Sequence, residues 1–234
     1  MVGQNGSTGL RTTAAWRPMA FGDGDPRTIA DPLFEPRWRG RRALVEVAGG
    51  AVTIREVDLG ERPRSTELRA ALAAACGVEE LLLDGYLVPG TLDAAATAPI
   101  SPSSAGVTRG GVARHMLLGS LVRSRPRPAP GPVVEPAVTL PADGPIAFAA
   151  VDLLWLDGEP LVGLPLGERK RLLESVVADG DLVRRTASVR APAERWQGQW
   201  RALGFEEMAV KAANGRYVPG GTSPDWTIVP IPRP

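Results

Sequence analysis

Apolar positions along the chain fall into two kinds of period, and they divide it into strands and helices. Residues 42–48 (RALVEVA) and 51–57 (AVTIREV) are β-rich with partial alternation, and Gly49-Gly50 between them is a two-residue hairpin signal. Ser65 or Thr66 can cap a helix whose Leu68, Leu72 and Ala75 form one apolar stripe. Residues 81–88 (LLLDGYLV) predict a buried strand bent at Gly85, and residues 146–157 a second apolar strand. Residues 167–177 predict an amphipathic helix with Leu172, Leu173, Val176 and Val177 on one side and charge on the other, where Lys170 should be solvated. A strand over 182–189, a helix over 193–203 with Trp196 and Trp200 on one face, and short strands at 208–211 and 226–229 follow. The mixture lacks a βαβ rhythm, which predicts an α+β domain of mainly antiparallel sheets flanked by helices.

Two stretches carry no period. Residues 1–30 predict an irregular N-terminal arm, and about residues 90–142, rich in Pro, Ser, Gly and Ala, predict a mobile insertion; the domain proper then spans 31–230, with 231–234 as a tail. The 23 prolines and 27 glycines fit long connections, and 234 residues suffice for one core. Net charge is +1, so a polyanion site must come from local clustering. One cysteine and one histidine exclude a disulfide framework and the common Cys/His zinc sites. Cys76 reads as a small buried hydrophobe and His115 as a surface residue. With no leader pattern and no run of eighteen apolar residues, the expected location is the cytoplasm.

Lysine occurs only at 170 and 211, so 25 of the 27 basic residues are arginine. Arginine keeps its proton at any working pH and cannot serve as an amine nucleophile. Arg37, Arg39, Arg41 and Arg42 lie within six residues. They suit a phosphate clamp, but strand alternation would also split them between faces and pair some with Glu35, Glu46 or Glu56. Glycine-rich pieces at 109–112 and 220–223 lack the endings of phosphate-binding loops and read as turns.

Seven segments in order resemble the adenylation domain of ATP-dependent DNA ligases, especially the bacterial end-joining type. Residues 34–44 (FEPRWRGRRAL) resemble that family's FEPKWDGYRAL, 83–88 (LDGYLV) its LDGEIV, and 151–158 (VDLLWLDG) its FDLLYLDG. Residues 161–169 (LVGLPLGER) resemble LRGLPLEER, 203–211 (LGFEEMAVK) resemble LGLEGVVAK, 216–220 (RYVPG) its YxPG turn, and 223–226 (SPDW) its SRDW. The resemblance implies the ATP-grasp-like nucleotidyltransferase fold of DNA ligases, here without an OB-fold domain, since the sequence ends soon after the last segment. It also implies ATP and Mg2+ as cofactors.

The same resemblance places Arg37 where the family has the lysine that attacks the α-phosphate of ATP, so no catalytic residue is intact. Arg39 replaces an aspartate, Tyr86 a ribose-binding carboxylate, Val151 the phenylalanine that stacks on adenine, and Ile228 and Pro230 two phosphate-neutralising lysines. Arg42, Glu206 and Lys211 match positions for ribose or substrate, metal and α-phosphate respectively. The implied nucleotide- or phosphate-binding set is thus Arg37, Arg42, Tyr86, Val151 and Lys211, with Glu206 for metal. The expected function is that of a degenerate, inactive ligase-like protein with an accessory role in DNA repair, its partner being DNA or a DNA-repair protein. The alternatives are an active ligase with divergent residues, using Lys211 as a substitute nucleophile, and an interaction module working through the insertion.

Overall fold

The computed structural model describes residues 15–57, 60–61, 66–92, 138–140 and 144–233. His115 and nearly all of the 90–142 insertion lie outside the described residues. Thirteen strands, three α-helices and a 3-10 turn make up the described part. Strand β1 is Ala20–Phe21, β2 Pro32–Pro36, β3 Arg41–Ala48, β4 Ala51–Glu56, β5 Gly60–Glu61, β6 Glu80–Pro89 and β7 Ile146–Leu156. They are followed by β8 Glu159–Pro160, β9 Val183–Arg185, β10 Val189–Arg190, β11 Glu207–Ala212, β12 Thr222–Ser223 and β13 Trp226–Pro230. The helices are α1 Thr66–Ala75, α2 Leu166–Val176 and α3 Glu194–Ala202.

A seven-stranded sheet runs β5-β4-β3-β6-β7-β8 with β9 parallel to β7, and a four-stranded antiparallel sheet runs β10-β2-β11-β13. The fold is α+β with mainly antiparallel pairing, as the hydrophobic pattern implied. The β3–β4 hairpin turns at Gly49-Gly50 with φ of +54° and +80°, the left-handed pair that a two-residue turn requires. At Gly85 the expected bend is a register shift against β7, where a Cβ would stand 2.4 Å from the Ala149 carbonyl oxygen. The predicted strand over 182–189 is instead two pieces: β9 joins the large sheet and β10 the small one, so the chain crosses between sheets there.

Alternation sorts the side chains into layers. One face of the large sheet (Val45, Val47, Ile54, Leu81, Leu83, Phe148) packs under Leu68 and Leu72 of α1 and Leu173 of α2. The other face (Leu44, Leu82, Leu154) meets Leu33, Ala209 and Trp226 of the small sheet. Behind the small sheet, Trp200 of α3 packs on Phe34, Met208 and Val210. The described half of the N-terminal arm is anchored in the intersheet layer, with Met19 and Phe21 buried and β1 parallel to β12. Cys76 is half-buried against the large core, and that burial pushes its thiol up to about 11. Among the described residues no helix is long and apolar enough to cross a membrane.

The sequence pattern implies a solvated Lys170 on the charged side of α2, and the structure corrects it. Arg169 is fully buried and grips Asp152 of β7 through two hydrogen bonds of 2.8 Å, while also donating to the Leu164 and Gly215 carbonyls. Lys170 is buried beside it, because the first turn of α2 inserts between the two sheets rather than lying on their surface. Removing one partner of such a pair strands a dry charge and costs about 3–5 kcal/mol. We therefore expect Asp152→Ala to lower urea-unfolding stability by about that amount. The double change Asp152→Leu/Arg169→Met should lose less than Asp152→Ala alone; an equal or larger loss contradicts the pairing.

Candidate active site between the two sheets

The seven resemblance-bearing segments converge on the layer where the sheets face each other. Alternation in β2 sends Glu35 into this layer and Phe34 behind it, and in β11 it sends Lys211 in and Val210 behind. From the large sheet, β3 contributes Arg42 and β6 contributes Asp84 and Tyr86.

Glu35 is the centre. Lys211 Nζ donates to its Oε2 at 2.7 Å, and Lys170 Nζ closes on Oε1 at 2.6 Å as an ion pair. Thus both lysines of the protein meet on one carboxylate that is only 1% exposed. Burial alone would raise the Glu35 carboxyl, but the two ammonium groups hold it down at about 2. Burial pulls the Lys211 ammonium below its ordinary value, Glu35 opposes that pull, and Lys170 and Arg42 add to it. The Lys211 amine also lies 4.2 Å from the centre of the Trp226 ring.

Beside this triad, Arg42 forms a fork on Asp84, with Nε to Oδ1 at 2.6 Å and an Nη2 contact of 2.5 Å to Oδ2. Its Nη1 donates to the Tyr86 hydroxyl at 2.6 Å. Tyr217 donates to Asp84 Oδ2 at 2.8 Å and accepts from the Met19 amide at 2.8 Å. Burial and the Asp84 charge push the Tyr217 phenol well up, so it remains a donor. Val151 is buried with Trp38, Tyr86, Val88 and Ala149 in an apolar cluster, where Trp38 Nε1 donates to Thr186 Oγ1 at 2.9 Å. Phe205 stands edge-on to Trp38 with ring centres 5.0 Å apart.

The arginine run is divided as alternation allows, with one of the expected partners and three others. Arg41 pairs with Glu56 at 3.3 Å, as foreseen, and Arg42 takes Asp84. Glu46 faces Arg55 at 3.8 Å and Glu35 holds the lysines. Arg37 and Arg39 precede β3 and pair with Glu207 and Glu206 respectively. This continues the β2–β11 ladder, since the Arg37 amide bonds the Glu207 carbonyl at 3.1 Å.

ATP and Mg2+, implied by the resemblance, can be set against these groups. Arg42, Lys211 and Arg37 each already hold an internal carboxylate, the Tyr86 hydroxyl holds Arg42, and Val151 lies inside a packed cluster. The residues do not fit a triphosphate in this arrangement. Glu206 is engaged by Arg39, and among the described residues no group of three or more His, Cys, Asp or Glu side chains is placed to hold a metal. The sequence reading missed Glu35, Tyr217 and Glu207 as members of the site. Glu207 had a signal, since it stands where the resembling segment has glycine.

Because the folded Glu35 carboxyl lies below its ordinary 4.5, its pairing stabilises the fold fully above that value. That stability is lost as pH falls through about 2. The loss across this window is on the order of 3 kcal/mol. Lys170→Met should move the acid-unfolding midpoint to higher pH, followed by circular dichroism; an unmoved midpoint excludes the Lys170–Glu35 coupling.

No family model matches the chain. A DNA ligase of Thermococcus onnurineus is 26% identical over 202 residues, 84% of this chain and 32% of that protein. The multifunctional non-homologous end joining DNA repair protein LigD of Mycobacterium tuberculosis is 27% identical over 195 residues, 82% of this chain and 21% of that protein. The chain therefore spans about a third or less of the length of these curated relatives. Among solved structures, mycobacterial DNA ligase D complexed with ATP and MES superposes with a TM-score of 0.58 at 24% identity, over 91% of this chain and 59% of that one. The ligase domain of M. tuberculosis LigD gives 0.58 and 24% over 91% of this chain and 58% of that one. The chain is thus a relative of the DNA ligases and has the fold of their ATP-dependent adenylation domain.

Proposed function

We propose that this chain is a degenerate ligase-like protein that forms no covalent adenylate and serves DNA repair as an accessory, engaging DNA or a repair partner. The observation that carries the reading is Arg37. At the position of the nucleophilic lysine stands a guanidinium that keeps its proton, and the Glu207 carboxylate is bound to it. A nucleophile needs a free lone pair directed at phosphorus, and a protonated guanidinium supplies none. The pairing of Arg42 with Asp84, and of Lys211 with Glu35, supports the same conclusion for nucleotide binding. The link to DNA repair rests on the relatives, two of which carry that role in their names.

One observation favours an active enzyme instead: the Lys211 ammonium is drawn below its ordinary value, which is how an amine is prepared for attack. Against it, that amine is 1% exposed and held between Glu35 and Trp226. Incubation with α-phosphate-labelled ATP and Mg2+ distinguishes the two. The accessory reading predicts no acid-labile, alkali-stable label on the protein. A label that Lys211→Ala abolishes would establish the enzyme, and a label that survives Lys211→Ala would point to another nucleophile; either rejects the inactive reading.

A further inference from the structure

Residues 16–24 lie along the intersheet layer as a strap. Met19 and Phe21 alternate into the layer and are 1% and 3% exposed. The Met19 amide donates to the Tyr217 hydroxyl, and the Phe21 ring centre lies 6.0 Å from that of Trp226 and 5.9 Å from the Lys211 amine. The strap thus covers Lys211 and the indole beside it. The hydrogen bonds that fix it end on residues 217–226. Ala20 and Gly22 donate to the Gly221 and Trp226 carbonyls, while Gly220 donates to the Arg17 carbonyl and Val218 to Met19 Sδ. Strands β1 and β12, each two residues long, form a sheet of their own, so releasing the strap leaves the ladders of both main sheets intact.

Closure carries a cost underneath. The Trp226 indole N–H is buried without an acceptor, and among the buried groups of the layer Lys170 and Lys211 share the single carboxylate of Glu35. Water admitted to the layer would relieve both. At the start of the strap, Arg17 faces a like charge: burial pulls the Arg55 guanidinium below its ordinary value, Glu46 opposes that pull, and Arg17 adds to it. We propose that residues 16–24 are a displaceable strap, whose release as a unit opens the intersheet layer and uncovers Lys211 while the two sheets stay folded. Anything that enters the layer then binds only the open state, and its affinity is scaled down by the open fraction. The device stands apart from the accessory reading, since its release requires neither DNA nor a partner.

Hydrogen exchange of the whole chain, joined to acylation of Lys211 by N-acetoxysuccinimide and peptide mass spectrometry, tests it. The amides of Met19, Ala20, Gly22 and Gly220 are expected to exchange at least about tenfold faster than those within β6 and β7. Gly22→Ala/Gly24→Ala wedges the strap away, because the new Cβ atoms would stand 2.4 Å from the Ser223 carbonyl oxygen and 1.9 Å from that of Pro224. Lys211 should acylate at least about tenfold faster in this variant than in the parent chain, with a cooperative thermal transition retained in circular dichroism. Gly198→Ala, where nothing stands within 4 Å of the added atom, should leave the rate unchanged. Strap amides that exchange in step with β6 and β7, an unchanged Lys211 rate in the folded double variant, or an equal rise in Gly198→Ala overturns the proposal. Should the double variant not fold, the exchange of the parent chain decides alone.

Discussion

A carboxylate cannot stay ionised in a dry interior without positive charge beside it, and Glu35 has two ammonium groups. That requirement organises the intersheet layer. It draws Lys211 from β11 and Lys170 from α2 to a residue of β2, and so fixes the helix against the small sheet. The next pairs follow the same logic: Arg42 on Asp84 crosses β3 and β6, and Arg169 on Asp152 ties α2 to β7. Among these buried groups four cations face three carboxylates, and burial lowers the Lys211 ammonium accordingly.

The consequence for chemistry is that the groups a nucleotide would need are committed to one another. A site that binds anions must hold its cations partly unpaired, and the energy released on binding comes from completing them. Here each interior cation already has a carboxylate beside it.

Period and turn chemistry made most of the architecture legible. The β3–β4 hairpin, α1 and the long β6 and β7 strands follow from alternation, from the Leu68 and Leu72 stripe and from Gly49-Gly50. The exchange of sheets between β9 and β10 was not legible, because a short apolar run carries no information about which neighbour it pairs with. Lys170 was misread for a related reason. An amphipathic pattern identifies the charged side of α2 but cannot show that a second sheet lies over its first turn, and there burial of Arg169 and Lys170 follows from tertiary packing. At the site, the replacement of a lysine by Arg37 was evident from the resemblance. Its consequence, an ion pair with Glu207, required the strand register that places residues 37 and 207 side by side.

We propose that self-pairing throughout the intersheet layer, more than the single exchange at position 37, keeps this chain from adenylation. Restoring the amine alone isolates that claim: Arg37→Lys is incubated with α-phosphate-labelled ATP and Mg2+, and covalent label on the protein is measured. No label is expected, because Arg42, Tyr86 and Lys211 remain tied to Asp84, to Arg42 and to Glu35. Stoichiometric adenylation of Arg37→Lys would show that the layer admits ATP as it stands, and would overturn the role given to self-pairing.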